Sequence, residues 1–110
     1  MYNNIIFSKT FDKNYSKIEK SGNKKVFNAL VKTVNNLING IINPNDHKLK
    51  GKLAKYRACH YDFSEKNEEV NEKSKNKWVV VYKIENENTL YLKATGTHNV
   101  YDTRNEFYDD

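Results

Sequence analysis

The chain has three histidines, His47, His60 and His98, and each lies inside a short motif. Asp46-His47-Lys48-Leu49-Lys50-Gly51 leads into Tyr56-Arg57-Ala58-Cys59-His60, and Thr95-Gly96-Thr97-His98 follows later in the chain. An imidazole, with an unperturbed pKa of about 6.5, both takes and gives protons near neutrality, so the trio points to general acid–base work. Lys48, Lys50, Lys52, Lys55 and Arg57 crowd the segment between the first two histidines, where cations would neutralise an anion. Three histidines and the single Cys59 match no common zinc-ligand spacing, so no metal or other cofactor is expected.

The elements that must position these residues are legible from periodicity. Ile5-Ile6-Phe7 predicts a first strand over 4–9. Phe11, Tyr15 and Ile18 recur at helical spacing up to Ser21-Gly22. Asn23 can cap a second helix whose apolar stripe is Val26, Phe27, Leu30, Val31, Val34, Leu37, Ile38 and Ile41. Gly40 and Asn43-Pro44-Asn45 end it. Leu53 to Tyr61 reads as a strand with Tyr56, Ala58 and His60 on one face and Lys55, Arg57 and Cys59 on the other. Trp78 to Ile84 is a second strand, Glu85-Asn86-Glu87-Asn88 a tight turn, and Thr89 to Thr95 the returning strand. Residues 64–77 are charged and read as a loop insertion. The expected fold is a single α+β domain over 1–110, β-α-α-β-β-β, with two N-terminal helices packed on a small, mainly antiparallel sheet.

A chain of 110 residues, 37% hydrophobic, supplies one modest core. Its longest apolar stretch, Trp78-Val79-Val80-Val81-Tyr82, falls far short of the roughly 18 residues of a membrane span, and the N-terminus has no signal-like pattern. One cysteine forms no internal disulfide, which suits a cytoplasmic location. The net charge of +5 favours an anionic partner, nucleic acid first and an acidic protein second. Cys59 reads as buried filler and Tyr82 as structural. Trp78 has two readings, core packing or stacking on a base, and Arg57 has two, phosphate contact or solvated residue.

The frame His47-x-Leu49-x-Gly51, Tyr56-Arg57-x-x-His60, Trp78 to Ile84 and Thr95-Gly96-Thr97-His98 resembles the YafQ branch of the RelE/ParE toxin superfamily. The histidine frame points away from the gyrase-poisoning ParE branch. The resemblance implies a RelE-like fold and the toxin of a type II toxin–antitoxin pair, an endoribonuclease cutting mRNA in the ribosomal A site. It implies metal-independent attack of a ribose 2′-OH, with mRNA on the ribosome and a cognate antitoxin as partners. It assigns His47 or His60 as base and His98 as acid and puts Trp78 on the family's tryptophan; Lys48, Lys50, Lys52, Lys55 and Arg57, from their charge, and Lys77, Trp78 and Tyr101, from their places beside the motifs, are the expected RNA contacts. Three positions depart from the family pattern: Lys77 replaces an Asp, Ala94 an Arg, and Asp102 an aromatic, with Tyr101 one place earlier. Lys77 and Lys93 are the nearby cations, although a lysine does not clamp a phosphate bidentately. The competing expectation is a non-catalytic module on the same fold that binds RNA, ribosome or antitoxin.

Overall fold

The computed structural model describes residues 2–41, 46–63 and 78–97, with Lys52 described by its backbone alone. His98, Lys77, Tyr101 and the 64–77 insertion lie outside the described residues.

The chain opens with β1 (Asn4–Phe7), followed by α1 (Lys9–Lys20) and α2 (Lys24–Ile38). Each helix begins at a polar side chain that satisfies an orphan backbone N–H. Ser8 Oγ accepts from Phe11 N at 2.9 Å, and Asn23 Oδ1 accepts from Val26 N at 3.2 Å. Ser8 Oγ also donates to the Lys93 carbonyl, tying the start of α1 to the sheet. The remaining elements are β2 (His47–Lys48), a 3-10 turn over Gly51–Leu53, β3 (Arg57–His60), β4 (Trp78–Glu85) and β5 (Thr89–Thr97). The five strands lie in the order β1-β5-β4-β3-β2. Among the described strands only the β1–β5 pairing is parallel. Asn86 and Glu87 both adopt positive φ, 52° and 67°, which gives the β4–β5 hairpin the twist its strands need.

Paired residues on neighbouring strands share a face, so the register sorts the sheet into two sides. The inner side carries Cys59, Tyr61, Val80, Tyr82, Leu90 and Leu92 against Phe11, Ile18, Val26, Leu30, Val34 and Leu37 of the helices. On the outer side Val81 and Ala94 are covered by Leu49, Leu53 and Tyr56 from the chain between β2 and β3. Leu92 lies opposite Tyr82 and Ala94 opposite Val81, so Lys93 is the extra residue of a bulge. No helix among the described residues is long and apolar enough to cross a membrane.

The α+β architecture with two helices on one mainly antiparallel sheet agrees with the sequence, but the strand expected over 4–9 stops at Phe7, where Ser8 caps α1, and three further details differ. The strand expected over 53–61 is only Arg57–His60, because the 3-10 turn over Gly51–Leu53 runs on into a turn at 54–55. A two-residue strand, β2, pairs with β3 where no element was expected. Ile41, assigned to the helical stripe, lies past the end of α2 and is 55% exposed.

Candidate active site

His47 lies directly opposite Ala58, and His60 lies two residues further along β3, so both imidazoles belong to the outer face. Their ring centroids are 5.9 Å apart with the planes tilted by 35°. His47 is exposed, while His60 is half-buried with its Nδ1 shielded from solvent. Below them the strands present Ala58 and Val79, both fully buried, and Gly96 opposite Val79. Gly96 has φ +149°, a backbone conformation that favours glycine and keeps the surface beside the histidines free of a side chain. Two neighbouring imidazoles on an open sheet face can serve one reacting group as proton acceptor and donor.

Asp46, one residue before His47, points to the opposite side. Its side chain is only 4% exposed. Arg57 Nε donates to its two oxygens at 3.3 and 3.2 Å, and the Tyr82 hydroxyl donates at 2.6 Å. The hydrogen bond to Asp46 raises the Arg57 guanidinium above its ordinary range, so it stays charged. Burial first, and then the Asp46 carboxylate, push the Tyr82 phenol up, so it remains the donor.

The structure separates the residues assigned to RNA contact. Lys48, Lys50 and Lys55 are exposed around the turn that joins β2 to β3. Arg57 commits its Nε to Asp46 on the inner side, with its side chain 42% exposed. Trp78 is paired in register with Thr97, packs against the inner core and stacks on Tyr61 at 5.9 Å, so it does not share the face of the two histidines. Tyr61 in turn hydrogen-bonds Thr95 Oγ1, which donates to the Val79 carbonyl at 2.9 Å.

Ala94 is fully buried beside Val81 and Leu53, which explains how this position dispenses with an arginine: the 49–56 segment occupies its space. Lys93, on the bulge, is 1% exposed with its ammonium 6.0 Å from the Tyr56 ring centroid. Lys83 lies nearby, 5.3 and 4.9 Å from the Tyr56 and Tyr91 centroids, and pairs with Glu85 at 2.8 Å. Cys59 is buried on the inner side, where burial pushes its thiol up to about 12 and leaves it unreactive near neutrality. Among the described residues no three His, Cys, Asp or Glu side chains gather as metal ligands.

Sequence reasoning passed over Asp46 and treated Tyr82 as structural. The signal was present in the strand alternation, since Asp46 and His47 must point to opposite sides once residue 47 is extended. A strand of two residues has no periodicity by which to recognise it.

The fold matches solved structures of small bacterial toxins. YafQ from E. coli strain BL21(DE3) superimposes with a TM-score of 0.65 at 21% identity, covering 90% of this chain and 97% of that one. A metal-bound toxin from Helicobacter pylori gives 0.63 at 34% identity, covering 88% and 96%. YafQ in the E. coli DinJ–YafQ complex gives 0.63 at 23% identity, covering 90% and 97%. No curated protein matches the sequence. The family model for the bacterial toxin of type II toxin–antitoxin systems, YafQ, matches residues 3–101, and the chain belongs to that family.

Proposed function

We propose that this toxin is an endoribonuclease that cuts mRNA in the ribosomal A site without a metal. The observation that carries the reading is the contact of His47 with His60 on the outer face of the sheet, at 5.9 Å. One of the two takes the proton of a ribose 2′-OH. The resulting oxygen attacks the adjacent phosphorus, the bond to the 5′-oxygen breaks, and His98, which follows Thr97 in the chain, returns a proton to that oxygen. The products are a 2′,3′-cyclic phosphate and a 5′-OH, so atoms and protons balance. Lys48, Lys50, Lys52 and Lys55, in the segment between the two histidines, supply contacts to the RNA backbone.

The cognate partner is an antitoxin, as DinJ is for the relative of the E. coli complex. A net charge of +5 suits an acidic antitoxin as well as RNA. Primer extension on a defined message in a reconstituted translation system tests the activity. Codon-phased cuts are expected with the wild type and not with His60→Ala. Equal cutting by both proteins would remove the histidine mechanism.

One observation favours a second reading. Ala94 and Lys93 are buried beneath Leu53 and Tyr56, and the nearby Lys83 is paired with Glu85, so this place presents no guanidinium to charge on a phosphorane. A module that binds RNA or ribosome without cutting would give salt-sensitive binding that survives His60→Ala, with no cleaved message at any concentration.

A further inference from the structure

We propose that Asp46 is a positioning residue of the histidine site, holding His47 against His60 by latching the edge strand β2 to the inner side of the sheet. The inference rests on the nuclease reading for its kinetic consequence but not for its geometry.

The strand that carries His47 has little to hold it. β2 is two residues long, lies at the sheet's edge, and pairs with β3 only through His47–Ala58 and Lys48–Arg57. So short a ladder is not stable by itself. On its far side Leu49 N donates to the Tyr56 carbonyl at 3.0 Å, and Leu49 packs on the Leu53–Val81–Ala94 cluster. On its near side the anchor is Asp46.

The three latch residues come from three consecutive positions across the sheet. Asp46 precedes β2, Arg57 belongs to β3, and Tyr82, its register partner, belongs to β4. His47 and His60 stand on these same strands on the other side. A buried carboxylate is stable only when paired and hydrogen-bonded, and Asp46 obtains both from Arg57 and Tyr82. The carboxylate therefore has one satisfactory location, and one peptide step away its neighbour His47 has one direction to point. A mispositioned imidazole loses its contact with His60, and a displacement on the order of 1 Å can reduce a rate about 100-fold.

The test combines a contact that requires no activity with a double-mutant cycle. In the wild type, NMR should show a cross-relaxation contact between the ring protons of His47 and His60. Asp46→Ala is expected to abolish it and to lower kcat by about 10- to 100-fold with KM little changed. Asp46→Asn, which still accepts from Tyr82, is expected to keep the contact and lose about threefold. In a His47→Ala background, Asp46→Ala should add less than about twofold, because the group it positions is gone. Retention of the ring contact in folded Asp46→Ala, or an undiminished Asp46 effect without His47, would overturn the proposal. If Asp46→Ala does not fold, Tyr82→Phe replaces it in the cycle, with a weakened ring contact expected and an unchanged one counting against the latch. Intact ring geometry together with no cleavage by the wild type would sink the nuclease reading while leaving the latch standing.

Discussion

Alkaline pH should unfold this domain through three buried acids, and one of them can be removed as a control. Burial holds the Cys59 thiol at about 12 against an ordinary 9.0. Burial likewise pushes the Tyr61 and Tyr82 phenols above their ordinary 10.0. Each group is neutral when protonated, and the fold retains that proton more tightly than the unfolded chain does. The stabilisation is complete below the unfolded pKa and is lost as pH rises toward the folded one. Past its unfolded value each group removes about 1.4 kcal/mol per pH unit. At pH 11 Cys59 has therefore removed about 3 kcal/mol, and the two tyrosines together about as much again. Domains of this size have roughly 5–15 kcal/mol in all, so the loss approaches the whole of a marginal stability. Urea denaturation followed by circular dichroism between pH 7 and 11 measures it, with Cys59→Ala alongside. The variant should be about 1 kcal/mol weaker at pH 7 from lost packing. It is spared the thiol's titration, so its deficit should close about one unit above pH 9 and reverse by pH 11. Parallel stability curves for the two proteins over that range would refute the argument.

Three further outcomes follow from the hydrogen bonds and packing. Tyr82→Phe removes a bond to a charged acceptor and should cost about 2 kcal/mol, whereas Tyr61→Phe removes a neutral one and should cost about 1 kcal/mol. Equal losses in denaturation would mean that Asp46 is not a charged acceptor in the fold. Ser8→Ala should destabilise by about 2 kcal/mol and Asn23→Ala by about 1, because Ser8 is buried and also holds the Lys93 carbonyl; thermal melts rank the two. Ala94→Arg should not restore a phosphate clamp but lose about 3 kcal/mol or more, by overpacking against Leu53 and Val81. Unchanged melting with increased cleavage would show that the 49–56 segment yields to the arginine.

Much of this fold was legible because its signals are local. Asn23, the stripe from Val26 to Leu37 and the turn at Asn86-Glu87 each state an element through capping chemistry, period or backbone preference. The β2 strand was not legible, since two residues carry no period and its existence depends on Asp46 meeting side chains 11 and 36 positions away. The site was legible to the extent that it is written in histidines: the alternation of β3 grouped His60 with Ala58 but did not say which face was the core, and nothing in the sequence paired it with His47. Trp78 shows the opposite failure. As the first residue of a valine-rich strand it could point either way, and register with Thr97 places it inward beside Tyr61. The burial of Ala94 was likewise invisible, because the residues that cover it come from a separate segment, 49–56.

The place of β5 in the sheet also fixes when the molecule can exist during its own synthesis. β5 joins β1 to β4, packs against α1, and comes last in the chain among the described elements. Until residues 89–97 leave the ribosome, β1 has no neighbour, the hairpin with β4 is missing, and the amphipathic helices have no completed sheet to cover. Contacts of such long sequence separation form late and together. A chain interrupted before Thr89 is thus not a weakened toxin but an unfolded one, and the finished surface exists only once β5 has emerged.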